Sequence, residues 1–431
     1  MITSPAWKDR KYAVLGLARS GRATVEALLA AGAEVLVWDD REEAREPYAG
    51  RCAIGDPLKA DLSGYAGVVV SPGVPLNTHP IKPHADSFGV PVIADIELFA
   101  QAREGLPPHK VVGITGTNGK STTTALVHHI LKTAGMPTTM GGNIGLPILE
   151  QEPLPQGGVY VLELSSYQID LTYSLACDVA VLLNITPDHL DRYDGDFKKY
   201  AASKSRLLGM QKRGQNSIAR FTDARSLGQF AEGTTASILE DVLRNRGVAP
   251  VEQVEWPSLQ GAHNLENAAA AIEVSDILGL SGEEIRSGLK SYPGLPHRME
   301  RVAEISGVAF INDSKGTNTA ASAPALAAFD NVHWILGGLA KEPGLGECEA
   351  ELDHVKAAYT IGKAGPDFAV LLEGRVPVEQ CETLERAVAA AAAKAGPGDT
   401  VLLSPACASF DQYADFEKRG DHFRALLEGL K

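Results

Sequence analysis

The chain has 431 residues, 44% of them hydrophobic and 22% charged, a balance typical of water-soluble globular proteins and, at this length, of more than one core. Its formal net charge of −14 argues against a nucleic-acid polymer or an anionic membrane as partner, and no apolar run is long enough to span a bilayer. Five scattered cysteines with no CxxC pair indicate neither a disulfide framework nor a zinc site; with no apolar signal core in MITSPAWKDRKYAVLG, a cytoplasmic location is expected.

Residues 11–40, KYAVLGLARSGRATVEALLAAGAEVLVWDD, predict strand, glycine turn, amphipathic helix and a second strand ending in acids, one half of a doubly wound α/β fold. The turn has Gly16 and Gly21, but Ala18 stands where a dinucleotide fingerprint has the glycine that lets backbone approach a pyrophosphate. That weakens a nicotinamide reading. It leaves either a packing turn or a diphosphate site at the N–H groups of Arg19 and Ser20, with Asp39, Asp40 or Arg41 near a sugar or base. GVVVSPGVP then predicts a strand with Ser71-Pro72-Gly73 at its carboxyl end, PVIADIELF a last strand and exit helix, and EGLPPHK a linker.

The stretch Gly113 to Thr124, GITGTNGKSTTT, lies between the apolar run HKVV and a segment in which Leu126, Ile130 and Leu131 recur at helical spacing. Strand, glycine loop and helix place backbone N–H groups, a helix N-terminus and the Lys120 ammonium around one anion, with the Ser121 hydroxyl left for Mg²⁺. The loop Gly116-Thr117-Asn118-Gly119-Lys120-Ser121-Thr122 departs from the general phosphate-loop pattern in having Ile114 where a glycine is usual. TTMGGNIGLPI brings Asn143 to a strand end, VYVLELSS ends a strand on Glu163, and VAVLLNITPDHLDRY is expected to end another on Asp188 and His189. Parallel strands deliver their carboxyl ends to one sheet edge, so Glu163 and His189 are candidates for holding Mg²⁺ beside the phosphate loop. Glu163 as a helix cap is the alternative.

Residues 196–212, DFKKYAASKSRLLGMQK, predict a basic amphipathic helix whose Lys198, Lys199, Lys204 and Arg206 would form a solvated face. Residues 215–255 have no clear periodicity. In GAHNLENAAAAIEVSDILG, Asn264 and Asn267 share a helix face; Asn264 is either an N-cap or, with Asn267, an amide partner for a purine edge. A third αβ unit follows, with strands in GVAFINDSKGTN, VHWILGGLAK, AAYTIGKAG and DTVLLSPACASF, and with Asp313, Lys315, Thr317, Lys341 and Ser409 at strand ends. Cys407 in SPACAS carries no catalytic-cysteine signature and reads as a small buried residue.

Taken together and in this order, TGTNGKST, GGNIG, LELSSYQ, NITPDHLDRY, KYAASK, GLPHRME, INDSKGTN, LGGLAK and LSPACASFDQY resemble the Mur ligases nearly end to end. The resemblance implies three α/β domains, each on a mostly parallel doubly wound sheet: Rossmann-like over 1–98 for a UDP-linked substrate, P-loop ATPase-like over 99–294 for ATP, and Rossmann-like over 295–431 for an amino acid. It implies an ATP-dependent amide ligase that adds D-glutamate to UDP-N-acetylmuramoyl-L-alanine through an acyl phosphate during peptidoglycan precursor synthesis, working as a monomer without nucleic acid or membrane. By resemblance, Lys120 meets the β/γ-phosphates, while Ser121, Glu163, His189 and a carbamylated Lys204 serve Mg²⁺. Asn264 and Asn267 meet adenine, with Arg298, Asp313 and Lys315 around the ribose and phosphates. Arg19, Ser20, Asp40, Arg41, Gly73 and Asn143 match the UDP-substrate pocket, and Thr317, Lys341, Ser409 and Phe416 the D-glutamate pocket. A sister Mur ligase or a folylpolyglutamate synthase is the near alternative, a non-catalytic nucleotide switch the distant one.

Overall fold

Short apolar runs alternating with amphipathic helices stack parallel strands under helical layers, because both faces of such a sheet must be covered. The computed structural model describes residues 1–220, 230–239, 241–242, 250–341 and 343–430, and among them are three such sheets. The first joins β1 (Lys11–Leu15), β2 (Glu34–Trp38), β3 (Ala53–Ile54), β4 (Tyr65–Val70) and β5 (Val92–Ile93) in the order 3-2-1-4-5, all parallel. Leu15 lies opposite Trp38 on one side and Val70 on the other, so the turns after β1 and β4 leave one edge together. Ser71 Oγ donates to Gly16 O at 2.8 Å and ties them.

The second sheet joins β6 (His109–Thr115), β7 (Thr138–Gly142), β8 (Gly158–Glu163), β9 (Val179–Leu182), β10 (Asn216–Ala219) and β11 (Thr235–Ile238) in the order 11-10-9-6-8-7, again all parallel. Ile114 is in register with Glu163 and Thr115 with Leu182, which brings the segments after β6, β8 and β9 out side by side. Two expectations change here. β9 stops at Leu182, so Asp188 and His189 lie in the loop beyond it and do not end the strand. The stretch without periodicity contains β10 and β11; β11 is at the sheet margin and half-buried to exposed throughout, which removes the apolar alternation that would have marked it.

The third sheet joins β12 (Glu300–Ile305), β13 (Val308–Asn312), β14 (Val332–Gly337), β15 (Val355–Ile361), β16 (Val378–Glu382) and β17 (Thr400–Leu403) in the order 12-13-17-14-15-16. All its pairings are parallel except that of β12 with β13. Its faces are filled alternately: Trp334 and Leu336 join Leu402 and Phe368 on one side, while Ile335 joins Phe310, Tyr359, Leu403 and Phe423 on the other.

By packing, the chain forms two compact units, residues 1–247 with 269–288 and residues 248–268 with 289–431; the helix Ala262–Ile277 crosses their boundary. The first two sheets share a unit because the exit helix Asp95–Ala102 buries Phe99 edge-on against Tyr160, ring centroids 5.1 Å apart, inside one apolar cluster. No helix of the described residues is long and apolar enough to cross a membrane.

The β1 turn sets a stability test. A Cβ on Gly21 would sit 1.9 Å from Gly16 O and 2.9 Å from Ser71 Oγ, so the helix after β1 approaches the turn as only glycine allows. Gly21→Ala is therefore expected to cost about 1–3 kcal/mol in urea unfolding. Gly396→Ala, whose nearest neighbour would be 3.9 Å away, should leave the midpoint where it is. Equal midpoints for the two variants would contradict the packing described.

Candidate functional site

The phosphate loop begins where β6 ends. Gly119, with φ of +83°, caps the helix Lys120–Thr133 without a side-chain bond, which leaves first-turn N–H groups turned toward the loop mouth. The loop is held from behind by the segment after β9. Asn184 accepts from Asn118 N through Oδ1 at 2.8 Å and returns a bond from Nδ2 to Asn118 O at 3.1 Å; its carbonyl accepts from Thr117 N at 2.9 Å. Thr117 Oγ1 accepts from Thr186 N at 3.0 Å and pairs with the Tyr200 hydroxyl at 3.1 Å. The Lys120 ammonium donates to Thr117 O at 2.7 Å, and Ser121 and Thr122 are buried behind it.

A cleft of about 390 Å³ opens in front of this loop, lined by Gly73, Lys120, Asn143, Ser165, His189 and Lys204 among others. Asn143 Nδ2 donates to Glu163 Oε1 at 2.8 Å, while Glu163 Oε2 is buried with no partner. His189 is held in the left-handed region at φ +51°, 54% exposed, with its ring edge-on to Tyr167 at 5.5 Å. Arg192 lies over Tyr167 at 4.8 Å and donates to Val74 O and Gly73 O at 3.1 and 3.3 Å. It draws the loop after β4, on the first sheet, against the second sheet's cleft.

Lys204 departs from the solvated face expected of its helix, Phe197–Gly209. Lys198 and Lys199 are exposed and Arg206 half-buried, but Lys204 is only 2% exposed. Its Nζ donates to Gly116 O at 2.8 Å and lies 4.7 Å from the centre of the Tyr200 ring. Burial first, and then the Lys120 charge, push its amine down to about 7.

At the β1 turn, Arg19 and Ser20 are the first residues of the helix Arg19–Ala30, and Ala18 supplies no cap bond. Arg19 Nη2 donates to Gly145 O at 2.9 Å, across to the glycine loop after β7. Asp40 is exposed, and the acid that organises the turn is Asp39. Its carboxylate accepts from Leu17 N at 2.7 Å and from the Arg41 guanidinium at 3.0 and 3.2 Å, and the Arg41 bond chiefly holds it down to about 2.

In the second unit the expected residues fall on two different structures. Asn264 is the third residue of its helix and not a cap; it donates to Gln260 O at 2.9 Å and accepts from Asn267 Nδ2 at 3.1 Å, and both asparagines are buried. The others hang from the carboxyl edge of the third sheet or just before it. Lys315 lies 5.4 Å from the Phe416 ring centre, Lys341 Nζ donates to Thr317 Oγ1 at 3.2 Å, and Ser409 is buried. Asp313 faces inward: Ser404 Oγ and Met299 N bond its carboxylate at 2.7 and 3.2 Å, and burial raises it to about 6. Arg298 has its Nε buried without a partner.

The family description "Mur ligase middle domain" matches residues 114–275, and "Mur ligase, glutamate ligase domain" matches residues 297–407. The chain is also 62% identical over 430 residues to the UDP-N-acetylmuramoylalanine–D-glutamate ligase of Novosphingobium aromaticivorans, covering 100% of this chain and 97% of that one. The chain belongs to the Mur ligase family. It is 58% identical to the protein of the same name from Sphingopyxis alaskensis, over the whole length of both. A solved MurF ligase from Thermotoga maritima in complex with ADP is similar in fold, with a TM-score of 0.58 at 16% identity over 98% of this chain and 99% of that one.

In this Mur ligase, reading strand ends finds Asn143, Glu163 and the phosphate loop but misses Asn184, Tyr167, Arg192 and Tyr200. Asn184 had a usable signal, since it stands two residues beyond an apolar run that pairs with the phosphate-loop strand. The tyrosines and Arg192 had none, as nothing local marks a ring that supports a distant loop.

Lys204 gives the cleft a pH signature. Its amine is held near 7 in the fold against an ordinary value of 10.5, so between these values the unfolded chain binds more protons and this group's effect on stability improves as pH rises. In bicarbonate-free buffer, Lys204→Met should gain over the unsubstituted enzyme most at about pH 6 and least at about pH 9 in urea unfolding. An advantage independent of pH would contradict the buried, neutral-leaning amine.

Proposed function

We propose that this Mur ligase uses ATP to join D-glutamate to UDP-N-acetylmuramoyl-L-alanine through an acyl phosphate. The observation that carries the reading is the pairing of Lys120 with the buried Lys204 around one cleft, into which a loop of the first sheet, at Gly73, also reaches. A carboxylate attacking a triphosphate brings two anions together, and the preorganised positive charge that step requires is that of Lys120, while Lys204 stands beside it in the neutral form that can become a carbamate. The relatives named for D-glutamate addition supply the choice of amino acid.

In this reading, residues 1–98 hold the UDP-linked substrate through Arg19, Ser20, Asp40, Arg41 and Gly73, with Asn143 near its muramoyl part. Residues 99–294 hold ATP, the phosphates on the loop from Gly116 to Thr122 and adenine at Asn264 and Asn267. Residues 295–431 carry Thr317, Lys341, Ser409 and Phe416 for D-glutamate, and Arg298 and Lys315 for the nucleotide. Asp313 serves that site by anchoring the turn before Lys315, since both its oxygens are engaged inside the fold.

The partnerless Glu163 Oε2 is a buried oxygen suited to a hard cation, and Ser121 lies on the adjacent loop. Mg²⁺ is such a cation, one that takes few protein oxygens and relies largely on water and substrate phosphates. Ser121, Glu163, His189 and Lys204 as a carbamate would hold it; when bound, it offsets phosphate charge and polarises the transferring phosphoryl group. A neutral Lys204 amine is the form that reacts with carbon dioxide, and its depressed value supplies that form near neutrality.

Lys120, turned from Thr117 O to the β/γ-phosphates, and the helix N–H groups hold the triphosphate while the alanyl carboxylate oxygen bonds the γ-phosphorus and ADP leaves. The D-glutamate amine then bonds the acyl carbon, the C–O bond to phosphate breaks, and phosphate departs with that electron pair while the proton shed by the amine nitrogen passes to the departing phosphate or to water. Arg192, by fixing the Gly73 loop beside the cleft, limits water where the acyl phosphate forms.

Phosphate release should require ATP, UDP-N-acetylmuramoyl-L-alanine and D-glutamate together, and Lys120→Ala should lower turnover by about a hundredfold or more. Normal turnover in that variant, or release with no amino acid, would reject the reading. Lys204→Ala should lose most activity and recover part of it with added acetate or formate; indifference to every small carboxylate would remove the carbamate from the account.

A further inference from the structure

Arg419 is the second unit's most conspicuous buried charge. It is 1% exposed, three residues into the helix Phe416–Glu428, and so on the face that carries Phe416. Its Nε donates to Ser314 Oγ at 3.0 Å, and its Nη2 donates to Ser314 O at 2.9 Å and to Cys407 O at 3.1 Å. Ser314 Oγ in turn donates to Phe416 O at 2.8 Å. On its remaining side, Nη1 is buried without a partner beside Gly338, where an added Cβ would be 3.3 Å from it. One guanidinium thus touches the loops after β13, β14 and β17 and the start of the final helix. Lys315, Lys341, Ser409 and Phe416 all lie on those four segments.

The charge also has no carboxylate in direct contact. Arg419 forms no ion pair with any Asp or Glu among the described residues; its acceptors are a hydroxyl and two carbonyls. Cys407 supplies no anion, because burial pushes its thiol up to about 12. Asp411 and Asp313 act on it only through space, and burial outweighs them, bringing Arg419 down to about 10. A buried cation without a carboxylate is costly, and such a site favours an anion arriving nearby.

We propose that Arg419 is the positioning residue of the amino-acid site: its guanidinium joins the loops bearing Lys315, Lys341 and Ser409, and the carboxylates of the amino-acid substrate balance its charge through space. The inference rests on the D-glutamate reading of Thr317, Lys341, Ser409 and Phe416. Arg419 is too deeply buried to touch the substrate, so its effect passes through the loops and the field.

Steady-state kinetics of the full-length enzyme test this. Arg419→Met, which keeps bulk and loses charge, should raise the KM for D-glutamate about tenfold or more while the KM for ATP stays within about twofold. Arg419→Lys, which keeps charge but loses the fork, should show a smaller rise confined to D-glutamate, and decides the matter if Arg419→Met does not fold. In Arg419→Ala, millimolar guanidinium should restore part of the D-glutamate affinity. An unchanged KM for D-glutamate, a parallel rise for ATP, or no response to guanidinium would overturn the proposal. Lys341→Ala separates the two layers: if it raises the D-glutamate KM while Arg419→Met does not, this inference alone fails; if it has no effect, the amino-acid site is misplaced and the inference falls with it.

Discussion

The buried hydrogen bond from Lys204 Nζ to Gly116 O is the contact on which the geometry of the first unit's cleft depends. It fixes the first residue of the phosphate loop from the helix that follows β9, while Asn184 and Tyr200 fix its middle. The same contact holds a second amine close to Lys120, whose charge adds to burial in lowering the Lys204 amine. A cleft so arranged is suited to anions. That is the state a phosphoryl-transfer site should be in before its substrates arrive.

Parallel topology makes this possible with little sequence. Register alone sets Glu163 and the residues after Leu182 beside the phosphate loop, and Arg19 reaches the β7 glycine loop from the first sheet. Because Phe99 and Tyr160 weld the two sheets into one core, the loop after β4 can be tied by Arg192 with a fixed geometry. The second unit uses the opposite device, a single buried arginine joining strand-end loops that carry their cations outward.

What could be read beforehand follows the physics of each signal. Glycine loops, continuous apolar strands and the residues closing them were legible, because backbone constraints write themselves locally; hence the phosphate loop, Glu163 and most strands of the third sheet. The burial of Lys204 is not legible in periodicity, which groups it with Lys198 and Lys199; the family resemblance alone sets it apart, and tertiary packing buries one of the three. Asp39 and Asp40, two adjacent acids, look alike in sequence until one accepts Leu17 N. The inward turn of Asp313 likewise depends on partners distant in sequence. The margin strand β11 escaped because its surface has no alternation to detect.

The account stands most directly on the ionisation of one side chain. Labelling of lysine amines by an acylating reagent, read by mass spectrometry across pH in bicarbonate-free buffer and corrected for access, reports the value of Lys204 in the folded enzyme. A midpoint near neutrality, about 7, is what its burial beside Lys120 predicts. A midpoint near the ordinary 10.5 would mean a solvated, fully charged lysine, and no neutral amine would be present near neutrality to form the carbamate.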